Sequence, residues 1–314
     1  MSLNSMAKTH YNLIILGAGP AGLTAGLYAA RARMDHLLIE KGAEGGQILL
    51  TDWIDNYPGF PDGISGFDLA EKMTVHAKRF DLNSIFANVV SMDLTEPVKR
   101  LALEDGSSLS CDTLIICTGA HPRPLGIPGE KEFIGKGVSY CATCDGPFYR
   151  NMHVAVIGGG NTAVQEASHL TKFAKKVTLI HRRDKLRATK ILQEKAFDNP
   201  KINFIWNSTV TRVSGTEGVE ELHLLDNSGK ESTVKVDGVF VLIGVLPNNE
   251  MLPLDVLKAD AGGFIPTDLE TRTSVVGVMA AGDIRSKEVR QVINAAGEGA
   301  TAVLAAEHYL TNLS

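Results

Sequence analysis

Two cysteines three positions apart carry the most reactive chemistry in this sequence, Cys141 and Cys144 in the run Cys-Ala-Thr-Cys-Asp. This spacing permits a disulfide inside a tight turn and is typical of reversible thiol–disulfide exchange. Only four cysteines occur in 314 residues, whereas secreted domains that depend on structural disulfides are much richer in cysteine. We therefore predict that the pair is a working redox couple.

A zinc site is the alternative for these two sulfurs, and it would need two further ligands. The other cysteines, Cys111 and Cys117, are candidates by number. However, Cys117 falls in an apolar strand, and the sequence contains no second CxxC and no HxxxH group. We predict no metal site, and we interpret Cys111 and Cys117 as small buried residues.

Asp145 directly follows the second cysteine of the pair. A leaving thiolate must take up a proton, and a carboxyl group with a raised pKa can supply one. Aspartate is equally typical of a turn ahead of a Gly-Pro dipeptide such as Gly146-Pro147. Both interpretations stay open from the sequence alone.

An approximate internal repeat predicts the elements that position these residues. The first copy has a glycine turn, a helix to about Arg33 and a β-excursion that turns at Asp105-Gly106. The second copy has a helix to about Ala174. A glycine turn between a strand and a helix brings a pyrophosphate to the helix N-terminus, so the repeat predicts two dinucleotide-binding domains. In the first copy the strands are 13–16, 36–39 and 112–119 and the glycine turn is 17–22. In the second copy the strands are 154–157, 177–181 and 237–244 and the glycine turn is 158–163.

A third apolar strand at 277–281 and a helix from about Gln291 have no glycine turn of their own, so we expect them to complete the first domain. The predicted fold class is α/β, with two Rossmann-like dinucleotide-binding domains and the second inserted into the first. Proline and asparagine near the junctions stop regular structure. The predicted domains are 8–122 with 249–314, and 123–248 with the cysteine pair; residues 1–6 are interpreted as a leader ahead of a native start.

The residues that end each second strand distinguish two nucleotides. Glu40 lies where a carboxylate accepts hydrogen bonds from ribose hydroxyls and repels a 2′-phosphate, which favours FAD or NAD. The second copy has His181, Arg182 and Arg183 there, with Arg187 one turn later. Paired guanidinium groups suit a 2′-phosphate, which favours NADPH, although a solvated basic patch is the alternative. The combination suggests hydride transfer from NADPH to a flavin.

Charge and hydropathy exclude other classes of function. The formal net charge of −5 opposes binding to nucleic acid, because phosphate recognition needs a positive surface. The uncharged run 11–30 is long enough to imitate a membrane span or a secretory signal, but glycines and a proline interrupt it in the pattern of a nucleotide turn. We predict a cytoplasmic protein with no membrane association.

Taken together, these motifs closely resemble the low-molecular-weight thioredoxin reductases over essentially the whole chain. The resemblance implies a homodimer that uses FAD and NADPH to reduce thioredoxin. It also implies that Cys144 lies beside the flavin, that Cys141 attacks thioredoxin and that Asp145 is the acid–base partner. The motifs are GAGPAG at 17–22, GGQ at 45–47, NYPG at 56–59, CATCDG at 141–146, GGGNTA at 158–163, HRRDKLR at 181–187, GD at 282–283 and RQ at 290–291.

The same resemblance implies the residues that bind the cofactors. Arg182, Arg183 and Arg187 are expected at the 2′-phosphate of NADPH. The residues expected to hold FAD are Gly17, Gly19, Pro20, Ala21, Gly22, Glu40, Gly46, Gln47, Asn56, Asp283, Arg290 and Gln291. Further cofactor-binding residues are Lys41, Val89, Thr118, Gly119, Gly159, Gly160, Asn161, Thr162, His181 and Ile243.

Gln165 departs from the family, in which two consecutive acidic residues often follow the second glycine turn; here only Glu166 is acidic.

Two alternatives remain beside thioredoxin reduction. One is a flavin-dependent reductase or oxidase of another dithiol or disulfide partner. The other is a nucleotide-binding sensor that uses NADPH and the disulfide without turnover, since a fold alone does not determine a function.

The double substitution Arg182→Ala with Arg183→Ala tests the cofactor assignment. We expect it to raise the concentration of NADPH required far more than that of NADH, by a few kcal/mol at most in binding free energy, because charge-assisted bonds to the 2′-phosphate are lost. Steady-state kinetics with both nucleotides measure the ratio. An unchanged preference would remove the basis for assigning NADPH.

Overall fold

The computed structural model describes residues 8–51 and 53–313, so the leader predicted at residues 1–6 lies outside the described part. The chain divides into two compact units. The first combines the chain up to His121 with the chain from Leu246 onward, and the second is Pro122–Val245. We describe each unit by itself.

The first unit is built on a sheet of seven strands. Its elements are β1 (His10–Leu16), α1 (Pro20–Arg31), β2 (His36–Glu40), α2 (Gly66–Lys78), β3 (Ser84–Phe86), β4 (Val89–Asp93), β5 (Lys99–Leu103), β6 (Ser108–Ile116), β17 (Val278–Ala280) and α6 (Val292–Thr311), with a 3₁₀ helix at Gly46–Leu50. The parallel part of the sheet has the order β3-β2-β1-β6, and β17 pairs with the carboxyl-terminal half of β6. The amino-terminal half of β6 pairs with β5 instead, and β5 pairs with β4, both antiparallel.

The carboxyl-terminal half of β1, residues 13–16, is buried on both faces, as its apolar run requires. Ile14 and Leu16 point into one core cluster, and Leu13 and Ile15 point into the other. Helix α1 covers the second cluster with small residues, which lets it approach the sheet closely. A Cβ on Gly22 would lie 1.7 Å from the carbonyl oxygen of Gly17, so only glycine permits this joint between strand and helix.

The second unit contains two sheets. Its elements are β8 (Val138–Ser139), α3 (Ala142–Asp145), β9 (His153–Gly158), α4 (Asn161–Leu170), β10 (Lys176–Ile180), α5 (Lys190–Phe197), β11 (Ile202–Ile205), β12 (Ser208–Gly215), β13 (Val219–Asp226), β14 (Glu231–Lys235) and β15 (Gly238–Leu242), with a 3₁₀ helix at Gly146–Tyr149. Five strands form a parallel sheet in the order β11-β10-β9-β15-β8, and three form a separate antiparallel sheet, β12-β13-β14. Strand β9 repeats the two-faced burial of β1, because Val154 and Val156 lie in one cluster and Ala155 and Ile157 in the other.

The chain crosses between the units twice, near the short strands β7 (Ala120–Pro122) and β16 (Val245–Pro247). The units differ from the predicted domains at both junctions: Pro122 lies in the second unit, and Leu246, Pro247 and Asn248 lie in the first. The Asn248 side chain donates to the carbonyl oxygen of Thr118 at 2.7 Å and bonds the His121 ring at 2.7 Å, and its N–H donates to Gly119. These bonds tie Asn248 to the end of β6.

Two helices end earlier than the sequence indicated. Helix α1 ends at Arg31 because Arg33 has a positive φ of 54°, and α4 ends at Leu170 in a turn that leads to Ala174. Among the described residues, no helix is both long and apolar enough to cross a bilayer.

The glycines of the first turn offer a matched test of packing. Gly22→Ala places its methyl group against backbone, so we expect a loss of about 3 kcal/mol or more in the free energy of unfolding. Gly19→Ala meets no atom within 4 Å, and we expect a loss below about 1 kcal/mol. Urea unfolding of the nucleotide-free proteins measures both values, and equal losses would contradict the packing argument.

Candidate active site

The first glycine turn lies at the carboxyl ends of the parallel strands of the first unit, where ligands bind in open α/β sheets. Gly17 has a φ of 102°, and a Cβ there would meet the Cys117 carbonyl oxygen at 2.5 Å. Gly19 precedes α1 without any side-chain cap, and the space beside its Cα is open. The unpaired N–H groups of α1 therefore face a surface that a phosphate can approach.

Glu40 is held at the end of β2 by two backbone donors. One carboxylate oxygen accepts the Ala18 N–H at 2.7 Å and the other accepts the Gly42 N–H at 2.8 Å. Each oxygen keeps lone-pair capacity, because a carboxylate can accept about four hydrogen bonds. The carboxylate is thus fixed beside the glycine turn and remains able to accept ribose hydroxyls.

Four buried polar atoms of the first unit find no hydrogen-bond partner within the described residues: Thr74 Oγ1 on α2, and Thr118 Oγ1, Asp283 Oδ1 and Arg290 Nε. Buried polar groups are normally paired, so unpaired ones need an explanation such as a ligand. Burial raises the pKa of Asp283, against the opposing charges of Lys287 and Arg290. Asp283 and Arg290 are among the residues expected to hold FAD, Thr118 is among the further cofactor-binding residues, and the open turn at Gly19 fits the same ligand.

Other predicted cofactor-binding residues of the first unit are partly brought together. The Asn56 amide donates to the Gln291 side chain at 3.0 Å, although 235 positions separate the two residues. Gly46 and Gln47 are exposed at the start of a 3₁₀ helix, Lys41 is exposed beyond β2, and the Val89 side chain is buried in the core. Pro20 and Ala21 form the first turn of α1, and Gly119 follows β6 with a φ of 71°.

The second glycine turn has a ring packed on it. A Cβ on Gly159 would lie 2.2 Å from the imidazole of His181, so glycine is needed for this contact. Burial lowers the pKa of His181, which keeps the ring neutral near pH 7. Gly160 is open and precedes α4 without a side-chain cap. The start of α4 therefore also presents unpaired N–H groups.

A loop carries the arginines to this turn. The Arg187 N–H donates to the Gly159 carbonyl at 2.7 Å, and Asn161, at the start of α4, accepts the Thr189 N–H at 2.9 Å. The side chains of Arg182, Arg183 and Arg187 are exposed, and none forms an ion pair with any residue in the described ranges. Three free guanidinium groups beside an uncapped helix suit a 2′-phosphate. Of the remaining expected residues, Thr162 is exposed on α4 and Ile243 is half-buried after β15.

Cys141 and Cys144 form a disulfide with a Cα–Cα separation of 5.3 Å. Cys141 is the N-cap of the short helix α3, and its sulfur accepts the Cys144 N–H at 3.2 Å. The Thr143 hydroxyl lies 3.3 Å from the same sulfur, and the Cys141 N–H donates to Ser139. Donors directed at a sulfur stabilise its thiolate, so Cys141 is the better nucleophile of the pair.

The sequence did not identify Thr143, Ser139 or Glu166 as functional. Thr143 and Ser139 lie two residues from Cys141, but nothing in the sequence signals that their oxygens bond the redox cysteine, and the contact of Glu166 with Thr143 arises from the packing of α3 on α4. The Glu166 carboxylate accepts the Thr143 N–H, yet burial raises its pKa, and its Oε2 has no partner among the described residues.

The two remaining cysteines, Cys111 and Cys117, are buried free thiols, as the sequence predicted. Burial raises the pKa of Cys111 to about 12, and it raises the pKa of Cys117 as well. Neither thiol is reactive near pH 7, because the thiolate is the reactive form. Within residues 8–51 and 53–313, no group of three His, Cys, Asp or Glu side chains could hold a metal ion.

Glu166 has a testable effect on stability. The folded-state pKa exceeds the unfolded value, so the group favours folding at low pH, and this contribution is lost as pH rises through the folded pKa. Glu166→Gln keeps an acceptor and removes the charge. We expect its unfolding midpoint, relative to the unsubstituted protein, to be higher at about pH 7.5 than at about pH 4. The exposed Glu194→Gln is the control, and equal behaviour of the two variants would contradict a buried carboxylate.

Comparison with known proteins agrees with this geometry. A family model for pyridine nucleotide-disulphide oxidoreductases matches residues 11–299. The chain is 44% identical over 307 residues to thioredoxin reductase of Bacillus subtilis, covering 96% of both chains. It is 46% identical over 307 residues to thioredoxin reductase of Treponema pallidum, covering 98% of this chain and 99% of the relative. The crystal structure of thioredoxin reductase from Streptococcus pyogenes superposes with a TM-score of 0.92 at 44% identity, over 98% of this chain and 100% of that one. The chain therefore belongs to the pyridine nucleotide-disulphide oxidoreductase family, among its thioredoxin reductases.

Proposed function

We propose that this protein reduces the disulfide of thioredoxin with NADPH, using FAD and the Cys141–Cys144 pair. The observation that carries the proposal is the sulfur of Cys141, which accepts two hydrogen bonds from its own helix in a half-buried position. A sulfur in that environment is suited to attack an external disulfide. The net reaction converts NADPH, a proton and a disulfide into NADP⁺ and a dithiol.

The residues of the first unit fit FAD. Gly17, Gly19 and Gly22 would bring the N-terminus of α1 to the pyrophosphate, Glu40 would accept the ribose hydroxyls, and Asp283 would supply a buried carboxylate oxygen that has no hydrogen-bond partner and lies 3.7 Å from the Lys287 ammonium group. When bound, FAD accepts a hydride from NADPH and delivers two electrons to a disulfide. The backbone of the glycine turn and the Glu40 carboxylate would hold the cofactor, and the turn has no room for a side chain at Gly17 or Gly22.

The residues of the second unit fit NADPH. Gly159 and Gly160 open the N-terminus of α4, and Arg182, Arg183 and Arg187 supply free guanidinium groups for the 2′-phosphate. NADH lacks that phosphate and would leave the arginines without a partner. This contrast supports NADPH as the reductant.

Thiol–disulfide exchange follows from the geometry of α3. The Cys141 thiolate attacks one sulfur of the thioredoxin disulfide, that S–S bond breaks, and the departing sulfur takes a proton. Cys144 then attacks the Cys141 sulfur of the mixed disulfide, which releases the thioredoxin dithiol and restores the Cys141–Cys144 bond. Asp145, the residue after Cys144, is the proposed donor and acceptor of these protons.

A protein partner is favoured over a small dithiol by Phe148. Its side chain is 51% exposed only four positions after Cys144. An exposed aromatic side chain close in sequence to the redox pair can give a protein surface an apolar contact, since aromatic residues are enriched at the cores of interfaces.

We also propose a cellular location and an oligomeric state for the enzyme. We place it in the cytoplasm, where free thiols such as Cys111 and Cys117 persist. The family resemblance supports a homodimer. The net charge of −5 supports the absence of nucleic-acid binding.

Steady-state oxidation of NADPH with thioredoxin disulfide tests the function. We expect rapid turnover that favours NADPH over NADH. Cys144→Ser should keep the loss of flavin absorbance on adding NADPH and abolish thioredoxin reduction, because only the acceptor disulfide is gone. Cys141→Ser should abolish thioredoxin reduction as well.

Cys111→Ala is the matched control, since this buried thiol lies outside the site, and it should retain turnover. Equal loss of flavin reduction and thioredoxin reduction in Cys144→Ser would contradict the order of electron flow. Flavin reduction without thioredoxin turnover in the unsubstituted protein would mean that the electron acceptor is a molecule other than thioredoxin.

A further inference from the structure

Two donors converge on one sulfur of the redox pair. The Cys144 N–H lies 3.2 Å from Cys141 Sγ, and the hydroxyl oxygen of Thr143 lies 3.3 Å from the same atom. A disulfide sulfur carries no hydrogen, so the Thr143 hydroxyl is the donor and Cys141 is the acceptor. The Cys144 sulfur receives neither of these bonds, and the pair is electrostatically unequal.

The backbones of Thr143 and Cys141 are each held by neighbouring groups. The Thr143 backbone N–H donates to the carboxylate of Glu166 on α4. At the other end, the Cys141 N–H donates to Ser139 Oγ at 3.1 Å, and the Asp145 N–H donates to the Cys141 carbonyl at 3.1 Å. Donor and acceptor are therefore both fixed by neighbouring elements, and their contact does not depend on a freely rotating loop.

Reduction strengthens this contact. Two electrons break the bond between the sulfurs, Cys141 Sγ keeps one electron pair as the thiolate, and Cys144 Sγ takes up a proton. An anionic sulfur is a stronger acceptor than a disulfide sulfur, since hydrogen bonds to ionised groups are roughly twice as strong as neutral ones. A donor already aimed at the sulfur therefore stabilises the reduced state more than the oxidised state.

We propose that Thr143 is a catalytic residue, whose hydroxyl donates a hydrogen bond to the Cys141 thiolate and raises its population at neutral pH. The bond transfers no proton; it holds the nucleophile ionised and orients it before attack on the partner disulfide. Glu166 is a positioning residue, which acts on the sulfur only through the Thr143 N–H. The inference rests on the proposed function for the identity of the partner, and not for the chemistry of the sulfur.

The charged groups around α3 make such a donor necessary. The titratable side chains on α3 and on the elements packed against it are Asp145, Tyr149, Glu166 and His169. Burial raises the pKa of Tyr149 to about 12 and lowers that of His169, so both are neutral near pH 7. The two carboxyl groups oppose a second negative charge. Neutral donors, Thr143 and the Cys144 N–H, are what favours the thiolate locally.

Thr143→Val tests this role, because valine keeps the shape of threonine and lacks the hydroxyl. The full-length protein is reduced, freed of reductant and reacted with iodoacetamide across a pH series, and mass spectrometry of peptides reports alkylation at Cys141. Loss of a charge-assisted bond should raise the midpoint of the profile by about one pH unit. At pH 7 we expect about tenfold less thiolate and about threefold slower alkylation, since a more basic thiolate is also more nucleophilic.

Thr143→Ser restores a hydroxyl and should return the midpoint toward the original value. Thr209→Val removes an exposed hydroxyl elsewhere in the same unit and should leave it unchanged. In glutathione buffers at a pH above both midpoints, where the thiolate predominates in either protein, the Thr143→Val disulfide should be harder to reduce by about tenfold in the equilibrium constant.

A Thr143→Val midpoint equal to the original, a Thr143→Ser shift as large as that of valine, or preferential alkylation of Cys144 would each overturn the proposal. The readout needs neither thioredoxin nor nicotinamide nucleotide. A protein that fails to reduce thioredoxin but shows the shift would refute the proposed function and retain the role of Thr143.

Discussion

The contact between the end of a strand and the start of the next helix sets the geometry of both nucleotide sites. In the first unit, the carbonyl oxygen of Gly17 lies so close to Gly22 that no Cβ fits between them. In the second unit, Gly158 is pressed against Ala163 and the carbonyl of Leu242. These contacts direct each helix N-terminus beyond the carboxyl ends of the parallel strands. The unpaired N–H groups there lack side-chain caps and are available to phosphates.

The same scaffold acquires two nucleotide preferences from the residues after the second strand. Glu40 is fixed by two backbone N–H groups and presents a carboxylate, which suits ribose hydroxyls and repels a phosphate. His181 instead packs on the glycine turn, and the loop behind it carries exposed arginines that suit a phosphate. Packing thus sets the position in each case, and the charge there, one carboxylate or three guanidinium groups, sets the nucleotide specificity.

The redox pair depends on a different physical constraint, the stabilisation of a thiolate in a region that contains two carboxyl groups. Helix α3 is too short to contribute much dipole of its own. The stabilisation comes from individual donors, the Cys144 N–H and the Thr143 hydroxyl. Glu166 orders this arrangement through the Thr143 N–H, while its burial disfavours its own negative charge. One turn of helix therefore creates an unequal pair of sulfurs from two identical residues.

The sequence by itself determined the features that depend on local spacing. Glycine spacing, apolar runs and the CxxC motif are local patterns, and they predicted the disulfide, the burial of Cys111 and Cys117, and seven strands of the two largest sheets: β1, β2, β6 and β17 in the first unit, and β9, β10 and β15 in the second. Only the tertiary structure decided which atoms meet across long separations. It brought Asn248 to Thr118 and Glu166 to Thr143, because such contacts depend on how elements distant in sequence pack together. The amino-acid pattern carries no periodic signal for a single hydrogen bond of this kind.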